Sequence, residues 1–233
     1  MQLGIDTSGA VSVALARAAA ADHAEIDVLA AASDTRARHH DEVLLALIDT
    51  VLDQAGATRR DLTGIVVGRG PGPFTGLRVG LVTARTIAFG LGIELSGLCS
   101  LDALALQALT EAQAPAGTSV GVALDARRRE VYHARYRAGE GRTLLREDGP
   151  AVAAPAEVSE QLQACDLLVG SGTALYPNLL PATSQASHVD AGYLLRVAAL
   201  RQAQGEDLRD TEPLYLRDPD AAKPTARKSA LGR

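Results

Sequence analysis

Apolar residues along this chain fall into two kinds of run. Short continuous stretches at 3–5, 11–16, 64–67 and 93–96 are bounded by Gly, Pro, Ser or Asp, which predicts buried strands. Asp6-Thr7-Ser8-Gly9 joins the first two, and its short polar side chains suit a hairpin turn. The other kind is periodic. Over 39–55, Val43, Leu44, Leu47, Ile48, Val51 and Leu52 recur at helical spacing until Gly56 ends the pattern. Thr58 and Asp61 are spaced as a short capping box. Further helices are predicted over 77–91, between an N-cap at Thr75 and a stop at Gly92, and over 100–110, with Ser100 as N-cap.

The Pro- and Gly-bearing stretch 113–117 is the expected domain boundary, because the opening pattern recurs after it. A strand at 120–124 ends in Asp125, a charged turn of Ala126 and three arginines follows, and a strand returns over 130–136. Strand, terminal Asp, polar turn and returning strand thus appear near residue 6 and again near residue 125, as a duplicated unit would. The remainder reads as a helix over 155–164, a buried strand at 167–169 ending in Gly170-Ser171-Gly172, a helix over 191–204, a strand at 213–217 and a polar, disordered tail at 219–233.

Composition narrows the classes of function. The 233 residues are 47% hydrophobic, enough for one large core or two small ones. Aromatics make up only 3% and Trp is absent, which argues against stacking-based binding of single-stranded nucleic acid. The net charge of −5 lacks the basic surplus of a protein that grips nucleic acid alone. Arg59-Arg60 and Arg127-Arg128-Arg129 read as solvated turns, and both lysines, Lys223 and Lys228, fall in the tail. Two cysteines, Cys99 and Cys165, offer no disulfide framework, and no apolar stretch approaches a membrane span. With no leader pattern after Met1, a cytoplasmic location is expected.

The loop Gly68-Arg69-Gly70-Pro71-Gly72-Pro73-Phe74-Thr75-Gly76 runs from a strand into a helix, where α/β proteins hold anions on free amide groups. It lacks the Lys-Ser/Thr pair of a phosphate-binding loop. No Gly-x-Ser-x-Gly and no His-Glu-x-x-His occurs, which leaves a protease reading without nucleophile or metal. Of the histidines, His23, His39, His40, His133 and His188, only His39-His40 cluster, and adjacent helical residues point about 100° apart.

Paired hairpins that each carry an Asp resemble the actin/Hsp70/sugar-kinase superfamily. Gly4-Ile5-Asp6-Thr7-Ser8, His40-Asp41-Glu42-Val43-Leu44-Leu45, the glycine loop through Leu77-Arg78-Val79-Gly80, Ser100-Leu101-Asp102-Ala103-Leu104-Ala105, Asp125-Ala126-Arg127 with Glu130-Val131-Tyr132, and Tyr215-Leu216-Arg217 sharpen the likeness. Together they resemble the bacterial TsaB (YeaZ) family over nearly the whole chain to about residue 218. The implied fold is α/β: two ribonuclease-H-like (actin/Hsp70-like) subdomains with mixed sheets flanked by helices, here 1–112 and 113–218.

The implied role is that of a non-catalytic subunit in forming threonylcarbamoyladenosine in tRNA. It would pair with the metal-bearing TsaD transferase and meet the TsaE ATPase and tRNA only within the complex, with TsaC supplying the activated adenylate. A homodimer is expected when the subunit is alone, and no cofactor is expected. Where the transferase carries a His-x-x-x-His metal pair, this chain matches by position with Ser100 and Leu104, read as a cap and a core residue. The kinases' Asp-x-Gly turns appear as Asp6-Thr7-Ser8 and Asp125-Ala126-Arg127, each with a bulkier third residue. Asp6, Thr7, Ser8 and Asp125 are therefore at most a residual nucleotide site, set against the simpler reading that each Asp bonds its own turn. Gly170-Ser171-Gly172 fits an adenosine pocket or a plain turn equally. An actin-like ATPase or small-molecule kinase is the alternative activity.

A stripe of small residues, Gly76, Gly80, Ala84 and Ala88, would let another helix approach closely, with Leu77, Leu81 and Ile87 beside it. The helix at 39–55 is apolar over more than half its circumference. The two are expected to pack together and present Val43, Leu44, Leu47, Ile48, Val51, Gly76, Leu77, Gly80, Leu81, Ala84 and Ala88 to a partner. The alternative is that both helices are internal. In the family the corresponding face forms a helical bundle with TsaD.

Overall fold

A computed structural model describes residues 1–19, 22–35 and 40–217. The first lobe is built on a five-stranded sheet. Its strands are β1 (Gln2–Asp6), β2 (Val11–Ala19), β3 (Asp22–Asp34), β4 (Gly64–Gly68) and β5 (Glu94–Leu98), in the order β3-β2-β1-β4-β5. β1 pairs antiparallel with β2 and parallel with β4. The second lobe holds β6 (Ser119–Asp125), β7 (Val131–Ala138), β8 (Leu144–Ala153) and β9 (Leu167–Val169), in the order β8-β7-β6-β9. β6 pairs antiparallel with β7 and parallel with β9. The same meander, with a parallel strand added beside its first member, is thus laid down twice.

Helices cover both faces of each sheet. α1 (His40–Gln54) and α2 (Phe74–Leu91) lie on the outer face of the first. There Leu3, Ile5, Val13 and Leu15 meet Leu44, Ile48, Leu77 and Leu81 in one apolar cluster. The residues between them along β2, Ala14 and Ala16, point the other way, as strand alternation demands. That inner face packs on α6 (Ala191–Ala203), and Gly4 leaves room for Leu195 and the backbone of Ala191. α3 (Ser100–Glu111) leaves the first sheet and packs on β6, β7, β8 and β9 of the second. α3 and α6 touch between the sheets and share a core with Val120, Val122, Tyr132 and Tyr136. α4 (Pro155–Gln163) closes the far face of the second sheet, where Val158 and Leu162 pack on Ala123 and Val131. α5 (Ser171–Leu175) follows β9.

The α/β reading with two mixed sheets flanked by helices holds. Other expectations need correction. β3 and β8 were not foreseen, and both are edge strands. Residues 213–217 form no strand: the Leu214 amide donates to the Arg69 carbonyl at 2.9 Å and the Tyr215 amide turns back to Pro213. α2 starts at Phe74 after Pro73, so Thr75 does not cap it. Gly170 is the N-cap of α5, so Gly170-Ser171-Gly172 opens a short helix instead of forming a plain turn. The tail 219–233, Lys223 and Lys228 within it, and His39 lie outside the described residues.

Candidate functional site

Both hairpin turns face the gap between the lobes. Asp6 is 1% exposed at the end of β1. Its Oδ1 accepts from the Ser8 amide at 2.9 Å and the Ser8 hydroxyl at 2.6 Å, and its Oδ2 accepts from the Ser100 hydroxyl at 2.5 Å. Burial pushes its carboxyl above the ordinary carboxylate range, and the hydroxyl and amide donors only partly oppose this. The glycine loop is pressed onto the turn. A methyl group at Gly68 would collide with Asp6, one at Gly72 with the Ser8 backbone, and one at Gly80 with Thr7. Where a phosphate would need bare backbone, the chain's own loop and α2 fill the space.

The second turn is different. Asp125 is only half-buried, and its Oδ1 accepts from the Arg127 amide at 2.8 Å while Oδ2 lies 3.3 Å from the Arg127 guanidinium. Arg127, Arg128 and Arg129 all take left-handed backbone, at φ of 61°, 54° and 64°. Ser8 and Asp125 do come together on one cavity of about 310 Å³, with Ser171, Arg127 and His188. Asp6 and Thr7 lie buried behind it.

At the start of α3 the hydroxyl of Ser100 is committed elsewhere. It donates to Asp6 and accepts from the Gly70 amide at 3.1 Å, so Cys99 is the N-cap and Ser100 is not. Leu104 is fully buried in the central core. Asp102, on the same turn, is fully buried and accepts from the Tyr136 hydroxyl at 2.8 Å. It also accepts from Arg146 at 2.6 Å and Arg201 at 2.6 Å. One carboxylate thereby joins α3, β7, β8 and α6. Burial, and secondarily the Asp102 charge, push the Cys99 thiol up to about 12, so it is inert as a nucleophile at neutral pH. Among the described residues no group of three or more His, Cys, Asp or Glu gathers as metal ligands would.

The expected partner surface needs revision. Leu44, Ile48, Val51, Gly76, Leu77, Gly80, Leu81, Ala84 and Ala88 are buried in the chain itself, and only Val43 and Leu47 are partly exposed. The small residues let α2 lie close on its own sheet and on the Thr7 turn, which consumes the stripe. The outward side of these helices instead carries Leu45 at 52%, Val82 at 60% and Phe89 at 91% exposure. Arg69 and Arg78, whose roles sequence alone left open, strap down the C-terminal segment. Arg69 pairs with Asp210, and Arg78 donates to the Tyr215 hydroxyl at 3.1 Å. Arg85 adds bonds to Thr211 and Glu212.

Comparison with known proteins agrees with this architecture. The family model described as TsaD, tRNA N6-adenosine threonylcarbamoyltransferase, matches residues 28–224. An uncharacterized protein of Mycobacterium tuberculosis is 40% identical over 82% of this chain and 80% of its own length. The tRNA threonylcarbamoyladenosine biosynthesis protein TsaB of Escherichia coli is 30% identical over 78% of this chain and 82% of its own. The solved structure of YeaZ from Pseudomonas aeruginosa superposes with a TM-score of 0.73 at 29% identity, covering 92% of this chain and 99% of that one. Identity at this level over most of both chains decides the assignment: the chain belongs to the TsaB (YeaZ) family of tRNA threonylcarbamoyladenosine biosynthesis proteins.

Proposed function

We propose that this chain is the non-catalytic subunit that docks on the metal-bearing TsaD transferase and supports it through the outward side of α1 and α2. The observation that carries the reading is the chemistry at the positions of the transferase's metal pair. Ser100 spends its hydroxyl on Asp6, and Leu104 is sealed in the core. Neither can serve as a ligand without rebuilding the centre of the molecule. The sealed Asp6 turn supports the same reading, since magnesium keeps several waters and needs an open carboxylate.

The docking surface in this proposal is shifted from the buried stripe to Phe89, Val82 and Leu45, with Val43 and Leu47 at its margin. A phenylalanine exposed over nine-tenths of its surface gains from being covered, at about 25 cal/mol per Å² of apolar area. TsaE and tRNA then join through the complex, and the same face supports a homodimer when TsaD is absent. The setting is the cytoplasm; no described helix is long and apolar enough to cross a membrane.

Co-purification with TsaD tests the surface. Phe89→Asp is expected to abolish the complex while leaving the fold intact, because the side chain touches little of its own lobe. Undiminished complex formation by Phe89→Asp and Leu45→Asp would remove this surface. The alternative of an ATPase or small-molecule kinase predicts hydrolysis of ATP by the isolated chain; none is expected.

A further inference from the structure

Arg78 and Arg85 are the basic residues of α2, and both are spent on one piece of chain. After α6, residues 206–217 run on without helix or strand. The Leu208 carbonyl accepts from the Gly97 amide at 2.7 Å, on the outer edge of β5. Asp210 pairs with Arg69. Arg85 donates to the Thr211 carbonyl at 2.8 Å and to Glu212 at 2.9 Å, and Arg78 donates to the Tyr215 hydroxyl at 3.1 Å. The Tyr215 ring stacks on Phe74 with centroids 5.2 Å apart, and the Arg78 guanidinium lies 3.8 Å from the Phe74 centroid. Residues 208–215 are thereby laid along α2 as a strap.

The strap follows the line of α2 that carries its exposed apolar residues. Phe74, Arg78, Val82, Arg85 and Phe89 are spaced by four, four, three and four residues, which sets them in one row along the helix. Val82 stands between the two arginines, and Phe89 lies one turn beyond Arg85. Residues 211–215 therefore form a wall beside this row. In that wall the acids stand outermost. The Glu212 side chain is 80% exposed against 43% for Arg85, and that of Asp210 is 62% exposed against 15% for Arg69. The outward row of α1 is of the same sign. Glu42, Leu45, Asp49 and Asp53 are spaced by three, four and four, and α1 contains no Lys or Arg. Asp49 is met by Arg59 from beyond the helix end.

We propose that the strap is one wall of the surface on which TsaD docks, and that the transferase meets it with an apolar row flanked by cations facing Asp210 and Glu212. This rests on the docking reading above and extends it from two helices to a third, irregular element. A partner that covers Val82 and Phe89 must lie against residues 211–215, because the row and the wall are joined by Arg78 and Arg85. A carboxylate has about four lone-pair sites, and one guanidinium does not fill them. The outward oxygens of Asp210 and Glu212 can therefore accept a second cation, whereas an acidic partner or a phosphate backbone would meet like charge. The arginines act as positioning residues: they hold the wall at the distance from the row that the partner reads.

Site-directed photo-crosslinking of the full-length chain tests the placement. The photoreactive p-benzoylphenylalanine replaces Glu212, Phe89 or, on α4 of the other lobe, Glu160, and each protein is irradiated with purified TsaD. Crosslinks to TsaD are expected from positions 212 and 89 and not from 160. A crosslink from 89 without one from 212 overturns the strap's part and leaves the docking reading standing. Crosslinks from neither remove both, and one from 212 alone takes the contact off α2 and overturns the shared surface. Crosslinks from all three positions overturn it as well, since the contact would then have no defined face. The charge of the partner is read from kinetics. Glu212→Gln keeps the Arg85 bond to the Thr211 carbonyl. It is expected to slow association with TsaD about threefold at about 50 mM salt and to change nothing at about 500 mM, where the field is screened. Unchanged or faster association at the lower salt would overturn the cationic margin.

Discussion

The turns at Asp6 and Asp125 follow one plan and end in opposite conditions. Each closes the first hairpin of its lobe, and each Asp accepts a bond from the amide two residues on. In the first lobe the carboxylate is then sealed. Glycines at 68, 72 and 80 bring a loop and a helix down on it, and Ser100 arrives from α3. In the second lobe Arg217 reaches in from the C-terminal segment to the Arg127 carbonyl, but exposed arginines stand where the first lobe has Ser8 and Gly9. The same local geometry therefore works as a plug in one wall of the gap and as an open, cationic rim in the other. Local hydrogen bonding sets the shape of a turn; what the neighbouring elements lack, here three Cβ atoms, sets whether it is reachable.

The sharpest way to break this contrast is to pry open the first turn. Gly68→Val places a branched side chain against the Asp6 carboxylate and the Ser100 hydroxyl, and is expected to cost about 3 kcal/mol. Urea unfolding would read this as a lower midpoint; a variant as stable as the wild type would mean the seal is loose. Asp6→Ala comes next. It leaves the Ser8 amide and two hydroxyls without their acceptor, for a loss of about 2 kcal/mol.

A smaller effect depends on pH. Asp6 titrates in the folded chain above its unfolded value of 3.8. The native state thus binds its proton more firmly than the unfolded state, and stability falls as pH rises from 3.8 through the folded value. Asp6→Asn carries no such charge. Its melting temperature, compared with wild type, should improve as pH rises above 3.8. A shift in the opposite direction would show that the carboxylate is stabilised as an anion, as an occupied cation site would require.

Much of this layout was legible beforehand. β1, β2, β4, β6 and β7 announce themselves as apolar runs because both faces of a central strand are covered, and the short edge strands β5 and β9 are legible as apolar stretches too. The edge strands β3 and β8 do not. β8 is LLREDGPAVA, largely exposed, and exists because β7 offers it a ladder. The helix faces misled for a related reason. Periodicity locates the apolar stripe of α2, but a stripe of Gly and Ala fits its own Thr7 turn as well as a foreign helix. Phe74 and Tyr215 stood within motifs already noticed, yet their stacking is a long-range fact that only the strap made by Arg69, Arg78 and Arg85 brings about. A shortage of aromatics was the available signal: where rings are few, those on loops invite a reason.

The least effect is expected at the open turn. Asp125→Ala removes a half-exposed carboxylate whose bonds stay within its own turn, so the loss should remain below about 1 kcal/mol. Its value lies in combination with the first turn. Asp6 is bonded to Ser8 and Ser100, Asp125 to Arg127, and they share no partner. In a double-mutant cycle the losses from Asp6→Ala and Asp125→Ala should therefore add to within about 0.5 kcal/mol. A magnesium ion or a phosphate held between the turns would couple them, and the coupling would grow when magnesium and ATP are added. Additivity that is indifferent to both additions leaves one turn as a plug and the other as a rim; a coupling that responds to them would restore a working nucleotide site to the gap between the lobes.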